Sequence, residues 1–77
     1  MADTLPIFDE MGRLFGTVVF EEKQGRKKIF FRQRDSTIID LSDIQKFTSF
    51  LKKSDIPENE ASRALRFFNE KMFSFGF

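Results

Sequence analysis

The chain has 77 residues, enough for one small domain whose core is limited in size. It contains no cysteine and no histidine. That excludes disulfides, thiolate metal sites and the usual general base, and leaves carboxylates as the only candidate metal ligands. The formal net charge is +1, yet six bases and no acid fall between Lys23 and Arg34, an asymmetry that points to an anionic partner.

Residues 1–4 read as a loose N-terminus, residues 5–73 as a single α+β domain, and residues 74–77 as a Phe-rich C-terminal tail. "PIFDEMGRLFGTVVFEE" predicts two strands about a turn near Met11 and Gly12. The β-branched and aromatic run "TVVF" makes Arg13 to Glu22 the clearer of the two. "EKQGRK" is a turn with Gly25 at its tip, "KKIFFRQ" the next strand, "RDS" a short turn and "TIIDL" a further strand. Links this short make the strands antiparallel neighbours.

The hydrophobic period then changes from two to 3.6. In "LSDIQKFTSFLKKS", Ser42 is the expected N-cap, with Gln45 at capping-box spacing. Ile44, Phe47, Phe50 and Leu51 make an apolar face opposite Lys46, Ser49 and Lys53. In "SDIPENEASRALRFFNEKMF", Pro57 suits the first turn, Glu58 and Glu60 suit the positive end of the helix dipole, and Ala61, Ala64, Leu65, Phe68 and Met72 form the core stripe. The expected fold is therefore α+β, an antiparallel meander of three or four strands followed by two helices packed on one face.

Alternation divides the strands between two faces. Leu14, Val18, Phe20, Ile29 and Phe31 are assigned to the face beneath the helices. The other face is expected to carry Phe15, Val19 and Phe30 among Lys28, Arg32 and Arg34. A small antiparallel sheet usually keeps its solvent face polar, so an apolar and basic face implies a partner.

Twelve Phe stand beside no Tyr and no Trp. Phe has no polar handle, so every ring seeks a dry site, and a core this small leaves some rings for an interface. Phe67 lies off the core stripe, and Phe73, Phe75 and Phe77 make "MFSFGF" a dense apolar terminus. That terminus either folds back to cap the core or docks on a partner. No apolar run is long enough to span a membrane, and "MADTLPIFDE" lacks a basic signal-peptide start, so a cytoplasmic protein without membrane partners is expected.

The order of the meander, with "TIIDLSDIQKF" passing straight into an amphipathic helix, resembles the sheet-plus-helix modules of the PUR family and of single-strand-binding transcription cofactors. The likeness covers about residues 14–53 and lies in element order; the second helix departs from it. It implies single-stranded nucleic acid bound on a curved sheet, and dimerisation.

The leading expectation is a non-enzymatic nucleic-acid-binding protein, single strands favoured. Arg26, Lys27, Lys28, Arg32 and Arg34 would lie along the phosphates, with Phe30 and Phe15 stacking on bases. The alternative is a homodimeric protein-interaction module, an adaptor or inhibitor, that uses Val19, Phe67, Phe73, Phe75 and Phe77. No cofactor is expected. The acids Asp9, Glu10, Glu21 and Glu22 are weak metal candidates and better suited to pairing with the basic third strand.

Overall fold

The computed structural model describes residues 2–73, and of Ala2 the backbone alone. Among these residues the chain is α+β. Strands β1 (Ala2–Phe8), β2 (Leu14–Lys23), β3 (Arg26–Gln33) and β4 (Ile38–Asp40) precede helices α1 (Ile44–Lys53) and α2 (Glu58–Met72). The strands form one antiparallel sheet in the order β1-β2-β3-β4.

The β2–β3 hairpin closes through two residues, Gln24 and Gly25, at φ 52° and 79°. Two successive positive φ values give the turn whose twist matches a right-twisted ribbon, and glycine adopts one of them without strain. At the sheet's other end β1 begins at Ala2, ahead of the expected start. Ala2, Asp3 and Thr4 pair with Glu21, Phe20 and Val19, so the long partner strand, rather than local propensity, sets the length of β1.

The cap of α1 differs from expectation. Asp43 is the N-cap, its carboxylate accepting from the Gln45 and Lys46 amides at 2.7 and 3.4 Å. Ser42 is used elsewhere: its Oγ accepts from the Ile29 amide at 3.1 Å and donates to the Ile29 carbonyl at 3.3 Å. It prolongs the β3–β4 ladder by one side chain. Either residue type can cap a helix; the sheet takes the first and leaves the second. Pro57 is the N-cap of α2 itself and makes no side-chain bond there.

Ile7, Val18, Phe20, Ile29, Phe31 and Leu41 from the strands meet Phe47, Leu51, Ala64 and Phe68 from the helices in one core. Ala64 is fully buried, its small side chain allowing α2 close approach. The Phe47 and Phe68 rings lie 4.7 Å apart between the two helices. Fully burying one such ring contributes up to about 3 kcal/mol.

Leu14 does not reach this core, and Phe15, partly buried, packs against it. Ile7 pairs with Gly16 but Phe8 pairs with Leu14, leaving Phe15 as the extra residue of a β-bulge. A bulge resets the alternation by one position. Phe15 turns beneath the helices, its ring 5.5 Å from Phe31 and 6.3 Å from Phe50. Leu14 goes to the opposite face and is 43% exposed.

Candidate functional site: the uncovered sheet face

The face away from the helices follows from the strand register. Its rows across the sheet are Pro6–Thr17–Arg32–Ile38 and Thr4–Val19–Phe30–Asp40, flanked by Glu21–Lys28 on one side and Phe8–Leu14 on the other. Val19 is only 5% exposed although it stands outside the core cluster. Its sheet neighbours bury it. Ile38, at the β4 edge of the next row, is 58% exposed, Phe8 and Leu14 are exposed one row further on, and Phe30 is half-buried. Val19 and Phe30 thus make one apolar row, and Phe8 with Leu14 a second, separated by the row that holds Thr17 and Arg32.

The expected site residues divide. Arg26, Lys28, Phe30 and Arg32 share this face along β3, and Val19 lies opposite Phe30. Lys27 falls on the other side of the strand, opposite Glu22. Arg34 lies beyond the end of β3 and lines a shallow hollow with Phe15, Phe31, Gln33, Asp35 and Phe50. Phe15 is removed from the face by the bulge, so of the two rings expected to stack only Phe30 is placed to do so. Phe8, Leu14 and Ile38 were not foreseen here. Phe8 and Leu14 follow once the bulge is known, and Ile38 from its position opposite Arg32.

Among the interface candidates, Phe67 packs against the rim of the core with the Lys71 ammonium 5.9 Å from its ring centre. Phe73 ends α2, half exposed, with its ring 5.8 Å from Phe68. Phe75 and Phe77 lie outside the described residues.

The positive charge of β3 is partly offset. Glu21 stands opposite Lys28 and Glu22 opposite Lys27. Asp40, beside Phe30, is held below the usual carboxylate range chiefly by the Ser42 amide, with Lys28 and Lys46 assisting, so it remains an anion on this face. Arg26 and Arg32 have no acid across the strand. Asp9 and Glu10 sit at the β1–β2 turn and Glu21 and Glu22 at the far end of β2, so these acids do not gather. No three acidic side chains among the described residues come close enough to hold a metal ion, and no helix among them is long and apolar enough to cross a membrane.

No protein-family model, curated protein or solved structure matches the chain.

Proposed function

We propose that this chain is a non-enzymatic protein-interaction module that pairs with a second copy through the uncovered sheet face. One observation carries the reading: on a face that neither helix covers, Val19 and Phe30 make one apolar row and Phe8 and Leu14 another, with Ile38 at the β4 edge of the row between them. The register also suits part of the face to a two-fold contact, while the Lys23–Arg26 pair at the hairpin end sets like charges together. A two-fold axis parallel to the strands and between β2 and β3 exchanges those strands at equal height. It sets Glu21 against Lys28 of the partner subunit and Val19 against Phe30 of the partner subunit, the mutual arrangement an isologous interface requires.

The test is size-exclusion chromatography with light scattering. At tens of micromolar the wild-type chain is expected at twice its 9.1 kDa mass. Phe30→Glu should weaken association roughly thirtyfold or more, as removal of a central aromatic and burial of a charge does. A wild-type mass that stays monomeric at high micromolar concentration overturns the reading.

A second reading rests on a different observation: Arg26, Lys28 and Arg32 alternate on one face of β3 around Phe30. That is the arrangement of a strand that follows phosphates and stacks one base. Fluorescence polarisation of labelled oligonucleotides across a salt series tests it. Binding that falls steeply with salt and loses about one unit of salt slope in Arg32→Ala would favour nucleic acid. No binding at low salt retires it.

A further inference from the structure

The two edges of the sheet are not equivalent. On β1 the Phe8 amide points away from β2 and donates to Glu60 Oε1 at 2.9 Å. Alternation points the backbone of Pro6 and Thr4 the same way, and Pro6 has no amide to offer. This edge therefore has one donor occupied and one absent, which blunts it against a further strand.

Among the described residues the β4 edge has neither protection. The Leu41 amide donates to the Ile29 carbonyl at 2.9 Å, and the Gln33 amide to the Thr37 carbonyl at 2.8 Å. These bonds set the odd-numbered residues of β4 toward β3. The amide and carbonyl groups of Ile38 and Asp40 face outward. Beside this edge, on the helix side, a groove of about 300 Å³ runs between β4 and α1, floored by Ile39, Leu41 and Phe50 and bordered by Lys46, Ser49 and Lys53. Those three residues are the stripe that the sequence places opposite the apolar face of α1; the fold turns it toward the open edge. Lys46 and Lys53 are exposed, and neither makes an ion pair within 4 Å among the described residues.

We propose that β4 takes up an extended acidic peptide as a fifth strand. Main-chain bonds would run to Ile38 and Asp40, and alternate side chains would enter the groove. Apolar floor and lysine borders select the pattern acid-x-apolar-x-acid. In such a strand the two acids stand about 13 Å apart, while Lys46 and Lys53 are about 10 Å apart along α1. Flexible lysine stems cover the difference. Asp40 stands across from Phe30 in a row of the opposite face, although its carboxyl is held low in part by Lys46, so that lysine serves the peptide and Asp40 together. The proposal adds a ligand to the module described above and does not depend on the sheet-face contact; the two surfaces share Ile38, through its side chain on the face and its backbone at the edge.

The experiment is a fluorescence-polarisation titration of the full chain with a labelled eight-residue peptide carrying Glu-Thr-Val-Thr-Glu at its centre. Micromolar binding is expected. Lys46→Glu with Lys53→Glu should weaken it at least tenfold, and so should replacing both peptide glutamates by glutamine. Ile38→Pro should also weaken it at least tenfold, because it deletes an outward donor while leaving the β3 ladder intact; circular dichroism checks its fold. Phe30→Glu, altered only on the other face, should bind the peptide normally whatever its mass. No wild-type binding at millimolar peptide overturns the proposal. So does binding unchanged by the lysine pair, or a loss in Ile38→Pro that proves to be loss of β4-to-β4 self-association. An oligonucleotide that displaces the peptide from Lys46 and Lys53 would also overturn it and assign the groove to nucleic acid.

Discussion

Gly16→Ala is expected to destabilise the fold by about 3 kcal/mol, the upper range for forcing volume into a packed core. In a domain of this size that lowers the melting midpoint by roughly 15–20 °C. An added Cβ would fall inside the van der Waals envelope of the Phe31 ring, at Cζ and Cε2, and 2.9 Å from the Arg32 carbonyl oxygen. Neither obstacle can easily withdraw. Phe31 is 1% exposed, with Phe50 4.6 Å and Phe15 5.5 Å away between ring centres. The carbonyl belongs to β3, directly across the ladder. The glycine is therefore required by the approach of a ring rather than by its backbone angles. Phe31→Leu, which shortens the intruding side chain, should recover part of the loss. A double-mutant cycle in denaturant would show the coupling. Additive effects, or a Gly16→Ala variant as stable as wild type, would refute this account of the bulge.

That region also shows where the sequence stops being readable. In β3, Ile29 and Phe31 alternate with Lys28, Phe30 and Arg32, and the side with fewer charges is the inner one. Polarity and period agree, so the core half of that strand is legible. At the start of β2, Leu14 and Phe15 are both apolar and Gly16 has no side chain. A slip of one position leaves no polarity clue, because a bulge is fixed by pairing with β1 rather than by its own residues. The exchange of Ser42 for Asp43 at the helix start has a similar origin. Both residues suit a cap, and the choice is made by the Ile29 backbone groups, thirteen positions away in sequence. The apolar part of the uncovered face was partly legible through Val19 and Phe30. Its extension to Phe8, Leu14 and Ile38 required the register of all four strands.

Glu60 carries the other large effect. From sequence it is one of two acids suited to the start of α2. In the fold it is 7% exposed and reaches β1, accepting the Phe8 amide through Oε1 at 2.9 Å and Arg63 Nη1 through Oε2 at 2.6 Å. Glu60→Ala should cost about 2 kcal/mol near neutral pH, in the range for a charge-assisted hydrogen bond to a poorly solvated donor. Most of this belongs to the Phe8 bond, because Arg63 is 42% exposed and an ion pair with one solvated member contributes little. The Phe8 amide, with Arg63 assisting, holds the Glu60 carboxyl below its ordinary value despite the opposing effect of burial. A group whose folded pKa is depressed contributes its full stabilisation above the unfolded value, about 4.3 for Glu, and loses it as pH falls through the folded one. Urea unfolding of wild type and Glu60→Ala should therefore show a gap that is constant above pH 5.5 and narrows below about pH 4.5. Glu60→Gln, which keeps an acceptor for Phe8 but no charge, should lie between them and narrow less against Glu60→Ala. A gap that does not change with pH would show that lost packing, not the carboxylate, is responsible. The same variants test the blunting of β1: with the Phe8 amide released, Glu60→Ala should gain a concentration-dependent tendency to associate along that edge, and Glu60→Gln should not.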